Sequence, residues 1–340
     1  MPGAAWWVGD GRGPIAAGFF GDAAIHPDRI ALRNETPFDL ASLTKPLATA
    51  LLATILDREG TLSLDTPMGA VFPELGASPF GERTLRDAAA HRAGLPAWGA
   101  LYTEATTREE YVQAIASCER RDAVSDTKYS DLGYILLGFA VEKAASIPLD
   151  RLFAERIARP LGLTRCGFAG RSELFGDAAA TESGSAYERA LAGPVARGDR
   201  FRAEIPRGQV HDGNAWGLGG VAGHAGLFGT ARDVAAIARA ILEPSRLGLD
   251  SGALDPMLRP VGEAAGVRTV GFLRAADAES VRGILPNDAV GHWGFTGTSL
   301  WIDRARPRIY VLLTNRVHPH VPAEPFTATR REFHRLAAGA

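Results

Sequence analysis

The stretch Phe38-Asp39-Leu40-Ala41-Ser42-Leu43-Thr44-Lys45 places a serine three residues before a lysine. At that spacing on a helix, two side chains lie one turn apart on the same face. Lysine is rare in this chain, occurring at Lys45, Lys128 and Lys143 among 37 basic residues. Arginine cannot replace lysine as a proton acceptor, because its guanidinium does not lose a proton in proteins. The pattern therefore predicts Ser42 as a nucleophile and Lys45 as its proton acceptor.

The same stretch is expected to open a helix. Apolar periodicity predicts a helix over Asp39–Glu59 that starts near Ser42 and stops at Gly60. Partial positive charge at a helix amino terminus favours an oxyanion beside Ser42. A plainer interpretation stays open, in which Ser42 caps the helix and Lys45 is a solvated surface residue.

Composition and charge are those of an ordinary folded protein. The chain has 340 residues, of which 46% are hydrophobic and 22% charged, enough for one large domain or two. A net charge of −2 gives no reason to expect nucleic acid or an anionic membrane surface as a partner. Cys118 and Cys166 show neither metal-ligand spacing nor a disulfide framework, so we expect both to be structural or incidental.

No stretch predicts a transmembrane helix or a secretory signal. The longest apolar run, 46–56, is too short to span a bilayer, and the amino terminus lacks a basic start. We therefore expect a cytoplasmic protein, or a periplasmic or secreted one if the amino terminus is truncated.

Strand patterns lie at both ends of the chain, with helix patterns between them. Strands are predicted over 4–33, 295–303 and 308–315, the last two as a hairpin. Helices are predicted at 84–90, 107–120 and 132–159, from a capping box at 230–233 to Leu242, and at 325–336.

This order predicts a mixed α+β fold, with an antiparallel sheet flanked by helices and a mainly helical second region. The sheet domain takes residues 1–65 and 220–340. Residues 66–219 form the helical and loop-rich region that lines a cleft, and specificity is expected in the irregular stretch 167–215.

A second polar group, Tyr129-Ser130-Asp131, directly precedes an apolar helix. A tyrosine near a lysine ammonium has a pKa below its usual value of about 10 and can move protons. The alternative is a core tyrosine followed by Ser130 or Asp131 as a helix cap.

A third group, His292-Trp293-Gly294, opens a glycine-rich stretch. Glycine on a strand lets a substrate approach the backbone closely, and a backbone N–H there could provide the second donor of an oxyanion hole. The alternative is a polar surface histidine at the start of a strand.

Taken in order, these three groups resemble the serine β-lactamase and penicillin-binding-protein superfamily, most closely its class C β-lactamase-like branch. That branch has Ser-x-x-Lys, then Tyr-x-Asn, then Lys-Thr-Gly or a His-x-Gly variant. Ser42–Lys45, Tyr129–Asp131 and His292–Gly294 occupy these places. Supporting stretches also look like the family: 91–96, 219–228 and 313–319.

The resemblance implies a serine hydrolase with the corresponding fold, and a mechanism that requires no metal or other cofactor. Ser42 forms an acyl-enzyme, Lys45 takes the hydroxyl proton, and Tyr129 passes it on or activates water. The N–H groups of Ser42 and Phe295 hold the oxyanion. The remaining expected contacts to substrate come from Asp131, His292, Trp293 and Gly294.

Two departures from the family pattern affect the expected substrate. Asp131 stands where many relatives have asparagine; a carboxylate beside Lys45 favours the charged amine and so shifts the base role toward a partly ionised Tyr129. His292 replaces a lysine, and neutral imidazole predicts weaker recognition of anionic β-lactams. We therefore expect an esterase or peptidase rather than a potent β-lactamase.

Two other classes stay open. One is a catalytically silent relative that binds peptides or partner proteins. The other is a metal-dependent hydrolase using His211 and His224, although their spacing matches no common ligand pattern. We expect these histidines, with Asp212 and Glu182, to line or brace the cleft. The expected substrate is a small ester, peptide or β-lactam-like molecule.

Overall fold

The computed structural model describes residues 1–119, 127–170, 175–194, 198–262, 266 and 268–339. The end of the predicted helix over 107–120 lies outside them. The strands in the described residues are β1 (Gly3–Asp10), β2 (Gly13–Ala24), β3 (Ile30–Ala31), β4 (Phe38–Asp39), β5 (Gly167–Phe168), β6 (Leu227–Gly229), β7 (Leu273–Arg274), β8 (Val290–Trp293), β9 (Ser299–Asp303) and β10 (Arg308–Thr314).

Over the described residues, seven of these strands form one antiparallel sheet in the order β3-β2-β1-β10-β9-β8-β7. The sheet joins both ends of the chain, because β1 pairs with β10 and Trp7 lies opposite Val311. The predicted hairpin is present as β9 and β10, with Val311 opposite Leu300. The strands from the two chain ends therefore meet in the middle of the sheet.

Both faces of this sheet are covered. On one face, Ile309, Val311 and Leu313 belong to the main core. On the other, Tyr310 packs in a second cluster that includes Trp301. The strand β10 is therefore almost entirely apolar and buried, without the alternation of a sheet with one wet face.

The helices connect the strands and cover the sheet. They are α1 (Leu51–Arg58), α2 (Met68–Val71), α3 (Leu85–Ala89), α4 (Arg108–Ala116), α5 (Asp131–Ala145), α6 (Leu149–Phe153), α7 (Ala186–Ala192), α8 (Gly213–Gly217), α9 (Ala231–Leu242), α10 (Asp255–Leu258) and α11 (Thr327–Ala338). Short 3₁₀ or π segments lie at Ala41–Leu43, Lys45–Ala50, Pro73–Leu75, Leu101–Thr103, Ala154–Ala158, Gly198–Arg200, Pro244–Leu247 and Ala275–Asp277.

The mixed arrangement of helices and antiparallel sheet confirms the predicted fold class. The capping box at Thr230 is also present: Asp233 N donates to Thr230 Oγ1 at 3.2 Å, and Thr230 N donates to Asp233 Oδ2 at 3.0 Å. The division into two regions, 1–65 with 220–340 and 66–219, stays a prediction.

The predicted helix over Asp39–Glu59 is wrong at its start. Asp39 belongs to β4, which pairs with β6 in a small sheet, and Ser42 lies in the 3₁₀ turn that follows. A π segment, Lys45–Ala50, then leads into α1. Tertiary pairing of Phe38–Asp39 with β6 overrides the helical pattern at this end.

The predicted helix over 132–159 is interrupted. Ser146 adopts a left-handed conformation with φ of 55°, and α5 ends before it. Pro148 then precedes α6. Within the described residues, no single helix is long and apolar enough to cross a membrane; α5 and Leu149–Ala158 reach that length only as a pair bent by 75°. The cytoplasmic location stays a prediction.

Two glycines let α5 approach the loop that follows α8. A Cβ on Gly138 of α5 would lie 2.8 Å from Gly223 Cα, and one on Gly223 would lie 2.0 Å from the carbonyl oxygen of Tyr134. The same loop is held from the other side, because Thr49 Oγ1 donates to Gly223 O at 2.7 Å. The close packing fixes the position of the next residue, His224.

We predict that Gly223→Ala lowers the free energy of unfolding by about 1–3 kcal/mol, because the added methyl forces two backbones apart. Urea unfolding of purified protein measures this. Gly198→Ala is the matched control, because a Cβ added at Gly198 would have no atom within 4 Å. This variant should change the free energy of unfolding by less than about 0.5 kcal/mol. Equal unfolding midpoints for the two variants would contradict the packing argument.

Candidate active site

Ser42 lies in a tight turn directly after β4, where Ala41 adopts a positive φ of 47°. Such a conformation is costly for a residue with a side chain and persists only when its surroundings enforce it. Here the Asp39 carboxylate does so. Its Oδ1 accepts from Ala41 N and its Oδ2 from His211 N, both at 2.8 Å. Ser42 is therefore presented by a braced turn and is not the cap residue of a helix.

Lys45 is fully buried and its amine contacts three oxygens from three parts of the chain. Nζ lies 2.9 Å from Ser42 Oγ, 3.0 Å from the carbonyl oxygen of His224 and 2.6 Å from Asp131 Oδ1. These contacts match the three donors of an ammonium group, and loss of one proton leaves the amine a lone pair that can face Ser42 Oγ. The alternative of a solvated surface lysine is wrong, because the Lys45 side chain has no exposed area.

Tyr129 completes this group, with its hydroxyl 2.6 Å from Ser42 Oγ. The residues after it are placed by a helix start. Ser130 caps α5, accepting from Gly133 N at 3.3 Å, and Asp131 is the first residue of that helix. The cap alternative therefore holds for Ser130, and the same cap directs Asp131 toward Lys45.

His91 supports Tyr129 from behind. Its ring centroid lies 4.7 Å from that of Tyr129, and its Nδ1 accepts from Ser130 N at 3.0 Å. His91 is buried and has a positive φ of 58°. The contact with both the ring and the next peptide fixes where the phenol points.

Burial decides the protonation of Lys45 and Tyr129. Burial lowers the pKa of Lys45, and the nearby Asp131 carboxylate opposes that shift. Burial raises the pKa of Tyr129 well above its ordinary value, and Asp131 adds to the rise. The expectation of a partly ionised Tyr129 is therefore wrong, because the raised pKa favours the neutral phenol.

The stretch after β8 reaches the same place but not as a strand. Phe295 lies in the turn between β8 and β9, so the predicted strand over 295–303 starts too early. A Cβ on Gly294 would lie 2.6 Å from the carbonyl oxygen of Leu40 and 2.2 Å from Thr298 Oγ1. Gly294 is thus required for packing against the turn that carries Ser42.

His292 is buried and faces the same group, with its ring centroid 5.9 Å from that of Tyr129. Its Nδ1–H donates to Trp293 O at 2.8 Å. Burial, with the positive charges of Arg268 and Lys45, lowers the pKa of His292 well below its ordinary value. The lowered pKa agrees with the predicted neutral imidazole. The alternative of a surface histidine is wrong, because His292 is buried.

Two cavities meet at the serine. The first, the basic cavity of about 450 Å³, is lined by Tyr129, His292, Trp293 and Gly294 and by three arginines among the described residues, Arg268, Arg316 and Arg330. The second, the acidic cavity of about 180 Å³, is lined by four carboxylates, Asp39, Asp131, Glu188 and Asp212, and by Trp98, Tyr187 and Leu191 among others. Three residues, Ser42, Asp131 and Phe295, line both.

The arginines of the basic cavity were missed by the sequence analysis. None of them pairs with a carboxylate in the described part of the chain, and Asp131 at the cavity edge is already paired with Lys45. Burial and the neighbouring Arg316 lower the pKa of Arg330 to about 10, which leaves it charged at neutral pH. The cavity is therefore strongly positive although His292 is neutral. Arg316 follows β10 in one of the family-like stretches, which is the one signal that pointed to it.

The other predicted cleft residues form buried pairs. His224 Nε2 contacts Asp212 Oδ1 at 2.8 Å, and His211 Nε2 contacts Glu182 Oε2 at 3.0 Å. His211, Asp212 and His224 line the acidic cavity, whereas Glu182 braces His211 from outside it. Within the described residues, no group of three or more His, Cys, Asp or Glu side chains has the geometry to hold a metal ion. Within the described residues, Cys118 and Cys166 form no disulfide.

Comparison with known proteins gives this site a family. The profile of the family described as Beta-lactamase matches residues 1–333. The chain belongs to the Beta-lactamase family. Among individual relatives, the Escherichia coli (strain K12) protein named "Putative D-alanyl-D-alanine carboxypeptidase" is 33% identical over 315 residues, covering 85% of this chain and 71% of that protein.

Solved structures share the fold of this Beta-lactamase family member. EstCE1, described as a hydrolase with promiscuous acyltransferase activity, has a TM-score of 0.73 and 20% identity, covering 98% of this chain and 94% of its own. The octameric penicillin-binding protein homologue from Pyrococcus abyssi has a TM-score of 0.70 and 20% identity, covering 93% and 70%. The predicted family and fold are confirmed, and the chain is a serine hydrolase whose chemistry is acyl transfer.

We predict that His91→Ala lowers kcat about tenfold or more, because it frees the Tyr129 ring and leaves the buried Ser130 N–H without an acceptor. His91→Asn keeps an acceptor near Nδ1 and tolerates positive φ, so it should recover much of the loss. Steady-state hydrolysis of a p-nitrophenyl ester measures both. If His91→Asn is as impaired as His91→Ala while both stay folded, His91 does not act through Ser130.

Proposed function

We propose that this protein is a carboxypeptidase, which cleaves the last amide bond of a peptide that ends in a free carboxylate. The unpaired positive charge of the basic cavity carries this proposal. Arg268 is the best-placed group: its guanidinium lies 5.6 Å from the centroid of the Tyr129 ring, and no carboxylate pairs with it in the described residues. Arg316 and Arg330 already donate to the carbonyl oxygens of Phe295 and Gly294.

The position of Tyr129 decides which side of the substrate lies in this cavity. A leaving amine needs a proton, and the neutral Tyr129 phenol lines the basic cavity but not the acidic one. The leaving group therefore departs through the basic cavity, and the acyl group lies in the acidic cavity. A leaving amino acid carries its carboxylate close to its amine, which puts that carboxylate among the arginines.

In the proposed acylation, Lys45 takes the proton of Ser42 and Ser42 Oγ bonds to the carbonyl carbon. The backbone N–H groups of Ser42 and Phe295, at the junction of the two cavities, hold the oxyanion. Tyr129 gives its proton to the leaving nitrogen as the carbon–nitrogen bond breaks. The resulting phenolate is stabilised by the Lys45 ammonium, which lies 4.9 Å from the Tyr129 ring centroid.

Deacylation returns each proton. Water gives one proton to the Tyr129 phenolate and its oxygen to the acyl carbon. Ser42 Oγ leaves and takes the proton held by Lys45. This assignment follows the pKa directions, because burial favours the free amine of Lys45 and the neutral phenol of Tyr129.

The names of relatives support the choice of a first substrate. The E. coli relative is named for the cleavage of D-alanyl-D-alanine. We therefore propose a terminal D-alanine as the leaving group to test first. Labelling of the protein by a fluorophosphonate probe, lost in Ser42→Ala, is the control that the serine is active in each preparation.

We predict that Arg268→Met lowers kcat/KM for D-alanyl-D-alanine by about 10- to 100-fold, the value of one charge-assisted hydrogen bond. Hydrolysis of D-alanyl-D-alaninamide, which lacks the carboxylate, should change less than about threefold. Arg232→Met, at an exposed position that lines neither cavity, is the matched control. An equal loss on both substrates would show that Arg268 does not bind the carboxylate.

A pH profile tests Lys45 as the base. We predict that kcat/KM for a neutral ester rises with pH, because the free amine is the active form. In Asp131→Asn the midpoint of the rise should move to lower pH by about 1–3 units, since the carboxylate that raises the Lys45 pKa is gone. A midpoint that stays in place or moves to higher pH would argue for a different proton acceptor.

A further inference from the structure

We propose that the acidic cavity binds the free α-ammonium group of an amino-terminal residue, so that the preferred substrates are very short peptides with an unblocked amino terminus. The proposal rests on the carboxypeptidase function only to decide which end of the substrate lies in which cavity. Its own evidence comes from the residues of the acidic cavity, which the argument for carboxylate binding does not use.

The wall of the acidic cavity is rich in carboxyl groups. Among the described residues, four carboxylates line it and no lysine or arginine does. Arg202 does not line the cavity: it donates to the carbonyl oxygens of Val210 and His211, and its charge acts on Glu188, Asp212 and Asp39 from behind the wall. The Lys45 amine offsets one carboxylate, that of Asp131. Asp131 and Asp212 are the carboxylates that keep exposed area for a cation that enters the cavity.

Two of these carboxylates are accessible from the cavity. Asp212 has 20% of its side chain exposed and Asp131 has 15%. Although burial opposes it, the His224 imidazole beside Asp212 lowers the pKa of that carboxyl, so Asp212 is ionised. Glu188 is more enclosed, because its two oxygens accept from Gly213 N and Tyr102 Oη, and burial and the neighbouring Asp212 raise its pKa, so it offers no free acceptor.

His224 supplies an independent sign of a ligand. The residue is 1% exposed and lines the cavity. Its Nε2 contacts Asp212, and its Nδ1, which is an acceptor when the ring proton is on Nε2, has no hydrogen-bond partner in the described part of the chain. A buried acceptor without a partner is costly unless a ligand donates to it. An ammonium group, with three donors, suits Nδ1 together with the two accessible carboxylates.

The remaining walls are aromatic. Trp98, Tyr187 and Phe295 line the cavity, and the rings of Tyr187 and Phe295 lie 4.9 Å apart between centroids. Aromatic faces attract an ammonium group through their quadrupole. Carboxylates and aromatic rings around one small space are therefore the chemistry of an organic-cation subsite.

Size and position restrict the ligand further. The cavity of about 180 Å³ is smaller than the roughly 300–1,000 Å³ of sites for drug-sized ligands, so it suits one amino-acid residue rather than a long acyl chain. Asp131 lies where the two cavities join, beside Ser42 and Phe295. An α-ammonium two bonds from the attacked carbonyl carbon falls next to Asp131. A carboxylate accepts from that ammonium, as an asparagine NH₂ at this position could not.

Two matched pairs of substrates at pH 7 test the proposal, where an α-amino group is still largely protonated. D-Alanyl-D-alanine is compared with its N-acetyl form, and D-alanine p-nitroanilide with N-acetyl-D-alanine p-nitroanilide. We expect kcat/KM to be at least about tenfold higher for the free amine in each pair. Asp212→Asn, which keeps an oxygen for His224 and Ala215 N but loses the charge, should reduce that ratio several-fold, whereas Glu279→Gln, an exposed residue outside both cavities, should leave it unchanged.

The outcomes separate this proposal from the carboxypeptidase function. Equal or faster hydrolysis of the acetylated substrates overturns the ammonium subsite and leaves the carboxypeptidase in place. A free-amine preference on the p-nitroanilides, without cleavage of either dipeptide, supports the subsite and overturns the carboxypeptidase. If none of the four substrates is hydrolysed by protein that the fluorophosphonate labels, both are overturned. An unchanged ratio in folded Asp212→Asn also counts against the subsite.

Discussion

The contacts of one buried amine hold this site together. Lys45 Nζ contacts Ser42, Asp131 and the backbone of His224, which come from three separate parts of the chain. A buried amine without partners costs several kcal/mol, so each contact constrains the element that provides it. The start of α5, the loop after α8 and the turn after β4 must all be in place together. Gly138 and Gly223 let the backbones of α5 and that loop pack closely, which helps to hold both elements in these positions.

Backbone irregularity is concentrated around this amine. Ala41 and His91 have positive φ although neither is glycine, and Lys45 itself opens a π segment. Each departure is held by hydrogen bonds from outside its own element, such as those to the Asp39 carboxylate. Strained local geometry is a common property of sites that must present a reactive group. Here it presents Ser42 between the phenol of Tyr129 and the amine of Lys45.

The cleft is electrically divided at the serine. Arginines line the cavity that Tyr129 also lines, and the carboxylates other than Asp131, which lines both cavities, lie on the other side. Neutral His292 keeps the basic side from depending on a group that titrates near neutral pH. Opposite charges on the two sides favour one orientation of a substrate that carries both an amine and a carboxylate. Serine chemistry and charge selection therefore come from different residues of the same cleft.

The amino-acid order alone determined the fold class, the family and the group Ser42, Lys45 and Tyr129, because spacing and residue type carry that information locally. It also indicated the departures at Asp131 and His292. The protonation state of Tyr129 could not be predicted from the sequence, because it depends on burial, which many distant residues create together. The arginines were beyond it for the same reason, since Arg268, Arg316 and Arg330 follow no common spacing and meet only when the sheet and α11 pack. Only the tertiary structure decided which charges face the serine, because charge selection depends on distances through space rather than along the chain.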